Sequence, residues 1–386
     1  MGDPVIQLDH QASTPCAAGV VEAMAPWWRA QAANPSSRLH RPGLLAAAAV
    51  EQARGRIAAG LGLPAEAVLF ASGATEANNL ALKGLAEAEL EAGGQRRHLI
   101  SLSTEHRAVL DPLRHLERHG FQLTLLPVDA DGLLDPARLE AALQPDTLLV
   151  SVMAANNEIG VLQPLAAIGA LCRAHGVHLH CDGAQAVGHI PLDPQTLGID
   201  LLSLSGHKLG GPMGIGALVR TDPALALAPQ LHGGGQEQGL RAGSLPVPLI
   251  VGLGVAVELA LADRQERQER LGALRDQLWL RLKGLGGIHR NGAATPRLAH
   301  NLNVWVEGVD GAALHSRLRR RLAVSSGSAC SAGEPSHVLQ ALGLTRQQAA
   351  ASIRFGLGAH TTAEEIEQAA DGVTEAVRAL RQDPTG

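Results

Sequence analysis

The chain has 386 residues, 46% of them apolar, and a formal net charge of −5. That length exceeds what a single hydrophobic core usually supports, so a globular protein of two domains is expected. The charge balance argues against a dedicated nucleic-acid or anionic-membrane surface, and the longest apolar stretch, residues 248–262, contains Glu258 and is too short to span a bilayer.

The first predicted strand, at 67–70, leads into FASGATEANNLALKG (70–84), which reads as strand, small turn and a helix beginning near Thr75. Free N–H groups and the helix dipole favour a phosphate there, and a plain helix cap explains the segment equally well. Strands are expected next at 98–102, 122–128 and 147–153, separated by helical patterns. STEHRAVL places His106, and MAANNEIGVLQPL places Asn157 and Gln163, just beyond strands, where the ligand sites of α/β sheets collect. A strand at 177–181 opens HLHCDGAQAVGHIPLD, whose period of two puts His178, His180 and Asp182 on one face. That face reads as a metal site, as a strand end where Asp182 meets a cationic ligand group, or as structural polar residues.

Strands at 201–205 and 214–219 flank SLSGHKLGGPMGIGAL, which sets Ser205, His207 and Lys208 at a strand end. Lys83, Lys208 and Lys283 are the only three lysines, so chemistry that needs an amine has few candidates. A lysine buried at a strand end tends to lose its proton or form a Schiff base, whereas one exposed at a turn does neither. GGGQEQGLRAGSLP (233–246) holds Arg241 and Ser244 in a pattern that fits a phosphate clamp or a plain connection. The alternation of seven strands with helices predicts an α/β architecture with a mostly parallel sheet.

From Pro248 the pattern becomes one long amphipathic helix through residue 285, then a strand-like NLNVWVEG and more helices, which predicts a smaller α+β domain. The Arg-rich stretch 315–324 reads as a solvated helix face. SSGSACSAGEPSH (325–337) sets Cys330 among small residues, a composition that suits a reactive thiol on a loop or a small space-filling residue. RFGLG places Arg354 in an apolar segment, where a buried guanidinium wants a carboxylate. The four cysteines, Cys16, Cys172, Cys181 and Cys330, lack paired spacing and fit a reducing, cytoplasmic compartment.

A strand-end lysine, an acid at another strand end, a helix-N-terminal cradle and a histidine are the parts of a pyridoxal phosphate site. The segments SGATEANNLALKG, TEHRAVL, NNEIGVLQP, CDGAQAVG, SGHKLGGPMGIGAL, GGGQEQGLRAG, SSGSAC and SIRFGLG occur in that order. On these residues the chain resembles cysteine desulfurases of the NifS/IscS type, in the class-V aminotransferase group of fold-type-I pyridoxal-phosphate enzymes, over nearly its whole length.

The resemblance implies a large cofactor-binding domain over 15–258 and a small domain formed by 1–14 and 259–386, which carries the Cys330 loop. It implies that Lys208 carries pyridoxal phosphate as a Schiff base, Asp182 pairs with its ring nitrogen, Gln185 bonds its phenolic oxygen, and His106 stacks on the ring and moves protons. Thr75, Ser205 and His207 would hold the phosphate, with Ser244 reaching in from the second subunit of a homodimer. Arg354 with Asn157 would take the carboxylate of L-cysteine, and Cys330 would be the nucleophile that keeps the sulfur as a persulfide while L-alanine leaves. A sulfur-acceptor protein is the implied partner, in iron–sulfur cluster assembly or tRNA thiolation, with no metal, nucleic acid or membrane involved. Selenocysteine or cystine lyases share the cofactor site, and a weakly active partner-binding relative is a further alternative. The chain departs from the pattern in a shorter loop after Cys330, in LGGPMG where Tyr and Lys are common, in Ser244 for the commoner Thr, and in Gln238 for a charged residue.

Overall fold

Residues 5–327 and 335–382 are described by a computed structural model of the chain; Cys330 lies outside the described residues. In chain order the elements are β1 (Ile6–Gln7), α1 (Ala18–Met24), α2 (Arg41–Gly60), β2 (Val68–Ala71), α3 (Ala74–Glu91), β3 (His98–Leu102), α4 (Arg107–Glu117), β4 (Gln122–Leu126), α5 (Pro136–Ala142), β5 (Thr147–Ser151), α6 (Leu165–His175), β6 (His178–Asp182), α7 (Pro194–Leu197), β7 (Leu201–Ser205) and β8 (Gly216–Arg220). There follow α8 (Val247–Ala262), α9 (Arg264–Lys283), β9 (Ile288–Arg290), β10 (Asn301–Val306), α10 (Gly311–Leu318), β11 (Leu322–Ala323), α11 (His337–Ala341), α12 (Arg346–Ala350), β12 (Ser352–Gly356) and α13 (Ala363–Gln382).

Seven strands form one sheet in the order β2-β8-β7-β6-β5-β3-β4. β3, β4, β5, β6 and β7 pair in parallel, and β8 runs antiparallel to both of its neighbours. The interior strands are buried along nearly their whole length, as strands covered by helices on both faces must be, with His178 at the start of β6 partly open, whereas β4 at the edge keeps Gln122 exposed. The chain leaves the sheet earlier than expected at Leu126 and Ser151, so the residues after β5 become loop.

A second body is built on the antiparallel sheet β12-β10-β9. Its core gathers Leu271, Leu278 and Leu282 of α9, Val304, Ile353, Phe355, and Val373 and Val377 of α13. Leu8 belongs to the same core, and β1 pairs in parallel with β11, so the N-terminal segment is stitched into the C-terminal body.

The expected single helix from Pro248 to residue 285 is instead two helices. Asp263 has non-helical dihedrals and separates α8 from α9. α8 is apolar and packs on α1 and α2 in the sheet-side core, while α9 buries only the stripe Leu271, Leu274, Leu278 and Leu282. The Arg267 side chain reaches back to the Asp263 carboxylate and the Ala260 carbonyl, serving groups that the break leaves open. Neither Gly nor Pro marks this break, which is why the pattern reads through it. The Arg-rich stretch is solvated as expected but is not one helix face: α10 ends at Leu318, residues 319–321 form an exposed turn before β11, and Arg321 pairs with Glu375.

Candidate active site

β7 ends at Ser205, and one turn of 3-10 helix, Gly206–Lys208, follows directly and carries Lys208 at the strand end. The turn is tight: a Cβ on Gly211 would lie 2.9 Å from the Gly206 carbonyl oxygen. Lys208 Nζ donates to the carbonyls of Gln11 (2.6 Å) and Ala12 (2.8 Å), and Gln185 Nε2 donates to the same Gln11 carbonyl at 3.0 Å.

One strand over, Asp182 ends β6 with its carboxylate buried, accepting from Asn78 Nδ2 (2.8 Å) and the Ala184 N–H (2.9 Å). His180, on the same face, contacts Ser151 Oγ (2.8 Å) and Ser203 Oγ (3.1 Å) with its two ring nitrogens, and burial pushes its pKa down to about 4. His178 instead lies 3.8 Å from Asp200. The three residues therefore share a face without converging, and among the described residues no group of three metal-ligating side chains does so. Cys181 points to the opposite side, into the core, where burial followed by the nearby Asp182 and Glu105 raises its thiol pKa well above the ordinary value.

The loop after β3 brings His106 to the same edge, as the cap of α4, with Nδ1 accepting from the Ala108 N–H at 3.1 Å. Burial lowers the His106 pKa against the opposing pull of Asp182, with Lys208 and His337 adding to the lowering. The imidazole is thus neutral, and since Nδ1 is the acceptor, Nε2 carries the proton. Its neighbour Glu105 is fully buried, takes the Met153 N–H at 2.7 Å, and is held well above the usual carboxylate range first by burial and then by Asp182.

α3 starts directly after Gly73, and its cap position offers no side-chain acceptor for the first N–H groups. Gly216 on β8 packs so closely that a Cβ there would meet Gly73 Cα at 2.7 Å, and Ser205 Oγ lies 4.0 Å from where a Gly73 Cβ would sit. Thr75 is exposed in the first turn of that helix. Glu76 accepts from the Ser72 N–H (2.7 Å) and from Arg241 Nε (2.8 Å), which ties the Gly-rich loop to the helix start. Burial pushes the Glu76 carboxyl up, but Arg241 and Ser72 outweigh it and its pKa is lowered. His207 lies 3.3 Å from Ser13 Oγ, with a pKa lowered to about 4 by burial and by Lys208. Ser244 is exposed on the Gly-rich loop.

Arg354, on β12 and 2% exposed, directs Nη2 to Asp9 Oδ1 (2.7 Å) and Ser325 Oγ (3.2 Å), and Nη1 to the Asn157 carbonyl (2.9 Å). Asp9 supplies the carboxylate that a buried guanidinium wants. Among the described residues, Arg354 Nε, Asn157 Oδ1, Gln11 Nε2, Asn78 Oδ1 and Glu105 Oε2 are buried polar atoms without a hydrogen-bond partner. Five such atoms around one sheet edge are what a site built for a polar ligand leaves behind. Asp9, Gln11, Asn78, Glu105 and Glu158 carry no local pattern that points to the site, because their partners lie far away in the sequence. The segment bearing Cys330 is flanked by Gly327 and Pro335, and Ser336 Oγ, one residue further on, donates to Glu158 Oε2. A Cβ on Gly327 would stand 3.2 Å from that same oxygen.

Comparison with known proteins agrees with this geometry. The family described as Aminotransferase class-V matches residues 6–369. A cysteine desulfurase IscS from Shewanella baltica (strain OS223) is 47% identical over 382 residues, covering 98% of this chain and 94% of the relative. The chain belongs to the class-V aminotransferase family, among its cysteine desulfurases. A solved NifS-like protein superimposes with a TM-score of 0.91 at 33% identity, covering 98% of this chain and all of that one. A structure described as SspA in complex with cysteine gives a TM-score of 0.81 at 39% identity over 93% of this chain and 100% of its own.

The family depends on pyridoxal phosphate, and the residues present fit that group. Lys208 offers an amine, Asp182 a buried carboxylate with an unsatisfied Asn78 amide oxygen beside it, and α3 an uncapped start with Ser205 alongside.

Proposed function

We propose that this enzyme uses pyridoxal phosphate to take sulfur from L-cysteine, releasing L-alanine and leaving a persulfide on Cys330. One observation carries the reading: the short segment Asp9–Ala12 receives both the Lys208 amine, at Gln11 and Ala12, and the Arg354 guanidinium, at Asp9. An amine and a carboxylate-binding cation are thereby held side by side, as an amino acid substrate requires.

Lys208 would hold the cofactor covalently, Asp182 its ring nitrogen and Gln185 its phenolic oxygen. Thr75, Ser205 and His207 would hold the phosphate. The bound cofactor supplies an electron sink for the carbanion formed at the substrate Cα. Arg354, with Asn157, binds the substrate carboxylate and fixes the Cα–H toward Lys208. Lys208 Nζ would accept that proton, and the neutral His106, with the proton on Nε2, would assist proton movement. Cys330 Sγ, as thiolate, then forms an S–S bond to the substrate sulfur as the Cβ–S bond breaks. The carbon fragment takes up a proton in place of its sulfur and leaves as L-alanine.

The persulfide would pass to a sulfur-acceptor protein, serving iron–sulfur cluster assembly or tRNA thiolation in the cytoplasm. A homodimer, with Ser244 completing the partner's phosphate site, is part of this reading. It is supported by a groove of about 800 Å³ next to the Gly-rich loop, lined by Arg38, Leu44, Glu51, Gln236 and Leu245, with Leu39, Leu44 and Leu45 exposed nearby. The division into 15–258 and 1–14 with 259–386 belongs to it too, its boundary falling within the last turn of α8, which runs to Ala262.

The test is alanine released from L-cysteine, with a thiol reductant present, by the native protein and by Cys330→Ser. Alanine from the native protein and almost none from the variant supports persulfide chemistry; equal release by both would make Cys330 a bystander.

A further inference from the structure

His189 takes no part in the scheme above, yet it touches the backbone of the lysine that carries it. Its Nε2–H donates to the Lys208 carbonyl at 3.0 Å. That carbonyl ends a single helical turn, where carbonyls lack a donor from within the helix. On its other side His189 is held by the C-terminal body. The ring of His300 packs on it with centroids 4.4 Å apart and planes tilted by 36°. The side chains of Gln268 and Arg267, both on α9, donate to the carbonyls of His189 and Gly188. The body that supplies these grips also supplies Arg354, and the chain leads from it into the segment of Cys330.

We propose that His189 is a positioning residue for Lys208, through which the C-terminal body sets the backbone, and hence the amine, of that lysine. The proposal rests on the reading of Lys208 as the cofactor-bearing residue. Lys208 Nζ must serve a ring held by Asp182 and a substrate held by Arg354, which belong to different bodies. A contact that fixes the lysine's peptide to the body of Arg354 is what keeps those two demands in register. The stack is neutral: burial lowers His189 to about 4 against the raising effect of its bond to the Lys208 carbonyl, with Arg267 lowering and Asp263 raising it further, and burial drives His300 well below its ordinary value, with His189, Arg267, His10 and Arg275 adding to the lowering. Two uncharged rings pack without repulsion, and the neutral His189 keeps its proton on the nitrogen that faces the carbonyl.

The experiment uses the loaded enzyme and the variants His189→Phe, His189→Gln, His300→Ala and His189→Phe with His300→Ala. Borohydride reduction followed by peptide mass analysis locates the cofactor, and the pH midpoint of its visible band reports the setting of the amine. In the native enzyme the adduct falls on Lys208. His189→Phe, which keeps a ring but not the donor, shifts the midpoint by roughly one unit and speeds cofactor release roughly tenfold, the equivalent of one buried hydrogen bond. His189→Gln, which keeps a donor, restores most of both. His300→Ala shifts the midpoint less, and the double variant shifts it no further than His189→Phe alone. No adduct on Lys208 in the native enzyme would overturn the reading of that lysine and this proposal with it. An adduct on Lys208, with midpoint and release rate unchanged in His189→Phe, would overturn the proposal alone, as would a His189→Gln variant no better than Phe. If His189→Phe does not melt cooperatively, His189→Gln and His300→Ala decide: a native midpoint in His300→Ala with a shifted one in a folded His189→Gln overturns the coupling to the C-terminal body.

Discussion

Two buried arginines in this molecule are treated in opposite ways. Every guanidinium nitrogen of Arg54 has an acceptor: Glu237 takes Nη1 (2.9 Å) and Nη2 (2.7 Å), Val68 O takes Nη1 (2.6 Å) and Glu51 takes Nε (3.2 Å). Glu237 also takes the Phe70 N–H at 2.7 Å, and Phe70 places its ring 4.7 Å below the cation. The arrangement fastens the Gly-rich loop to β2 even though Glu237 and Gln238 sit in the left-handed region. Arg354 is buried as deeply, but its Nε has no partner among the described residues, and its one carboxylate, on Asp9, is partly open to solvent. A saturated cation holds a fold together; an unsaturated one is held ready for a ligand.

The comparison breaks most visibly at Glu237. Glu237→Ala leaves the buried Arg54 with only the solvent-exposed Glu51 carboxylate and the Val68 carbonyl as partners, which costs about 3 kcal/mol. The loss is expected in the chemical denaturation midpoint, with the KM for L-cysteine little changed; a midpoint close to native would mean that Arg54 finds another anion. At Arg354 the loss should fall on function instead. Arg354→Ala is expected to lower kcat/KM for L-cysteine by roughly 10² to 10³, the worth of a charge-assisted pair to the substrate carboxylate. Arg354→Lys should recover little of it, because a lysine cannot present the planar fork. Recovery to within a few-fold of native would refute a bidentate role.

The difference between these arginines also marks what the sequence makes legible. The seven strands, the lysine at the end of β7 and the acid at the end of β6 follow from period and position, because a parallel sheet puts its chemistry at the carboxyl ends of its strands. Residues that act across long separations left no local trace. Asp9 meets Arg354, and Gln11 meets Lys208, through an N-terminal segment that a two-residue strand stitches into the far end of the chain. A strand as short as β1 has no periodicity to detect. The break at Asp263 was hidden because its compensation is supplied by Arg267, one turn later.

A smaller effect separates structural from functional histidines. His180 is fully buried between two serine hydroxyls and its pKa is lowered to about 4. The unfolded chain binds a proton near 6.5 that the folded chain refuses until about 4, so the stability His180 contributes is complete above 6.5 and is lost as pH falls through that window. At pH 5 the loss is on the order of 2 kcal/mol. His180→Asn should therefore flatten the dependence of unfolding free energy on pH between those limits by about one proton, a slope read from denaturation at several pH values.

The smallest effect is the most pointed, because it asks whether Asp9 serves Arg354 as Glu237 serves Arg54. If Asp9 were a saturating partner, any replacement would harm the fold and the binding of substrate alike. In the arrangement seen, Asp9 contributes a single oxygen, and on the proposed reading of Arg354 it would compete electrostatically with the substrate carboxylate. Asp9→Asn keeps an acceptor at that oxygen and removes the charge, so the KM for L-cysteine should fall several-fold, about 1 kcal/mol, while thermal stability drops slightly. Asp9→Ala removes the acceptor as well, frees the guanidinium to turn, and should raise KM. Opposite shifts in KM from the two variants would establish Asp9 as a placeholder that orients Arg354 between turnovers; a rise in both would make it a structural partner and bring the two arginines back into one class.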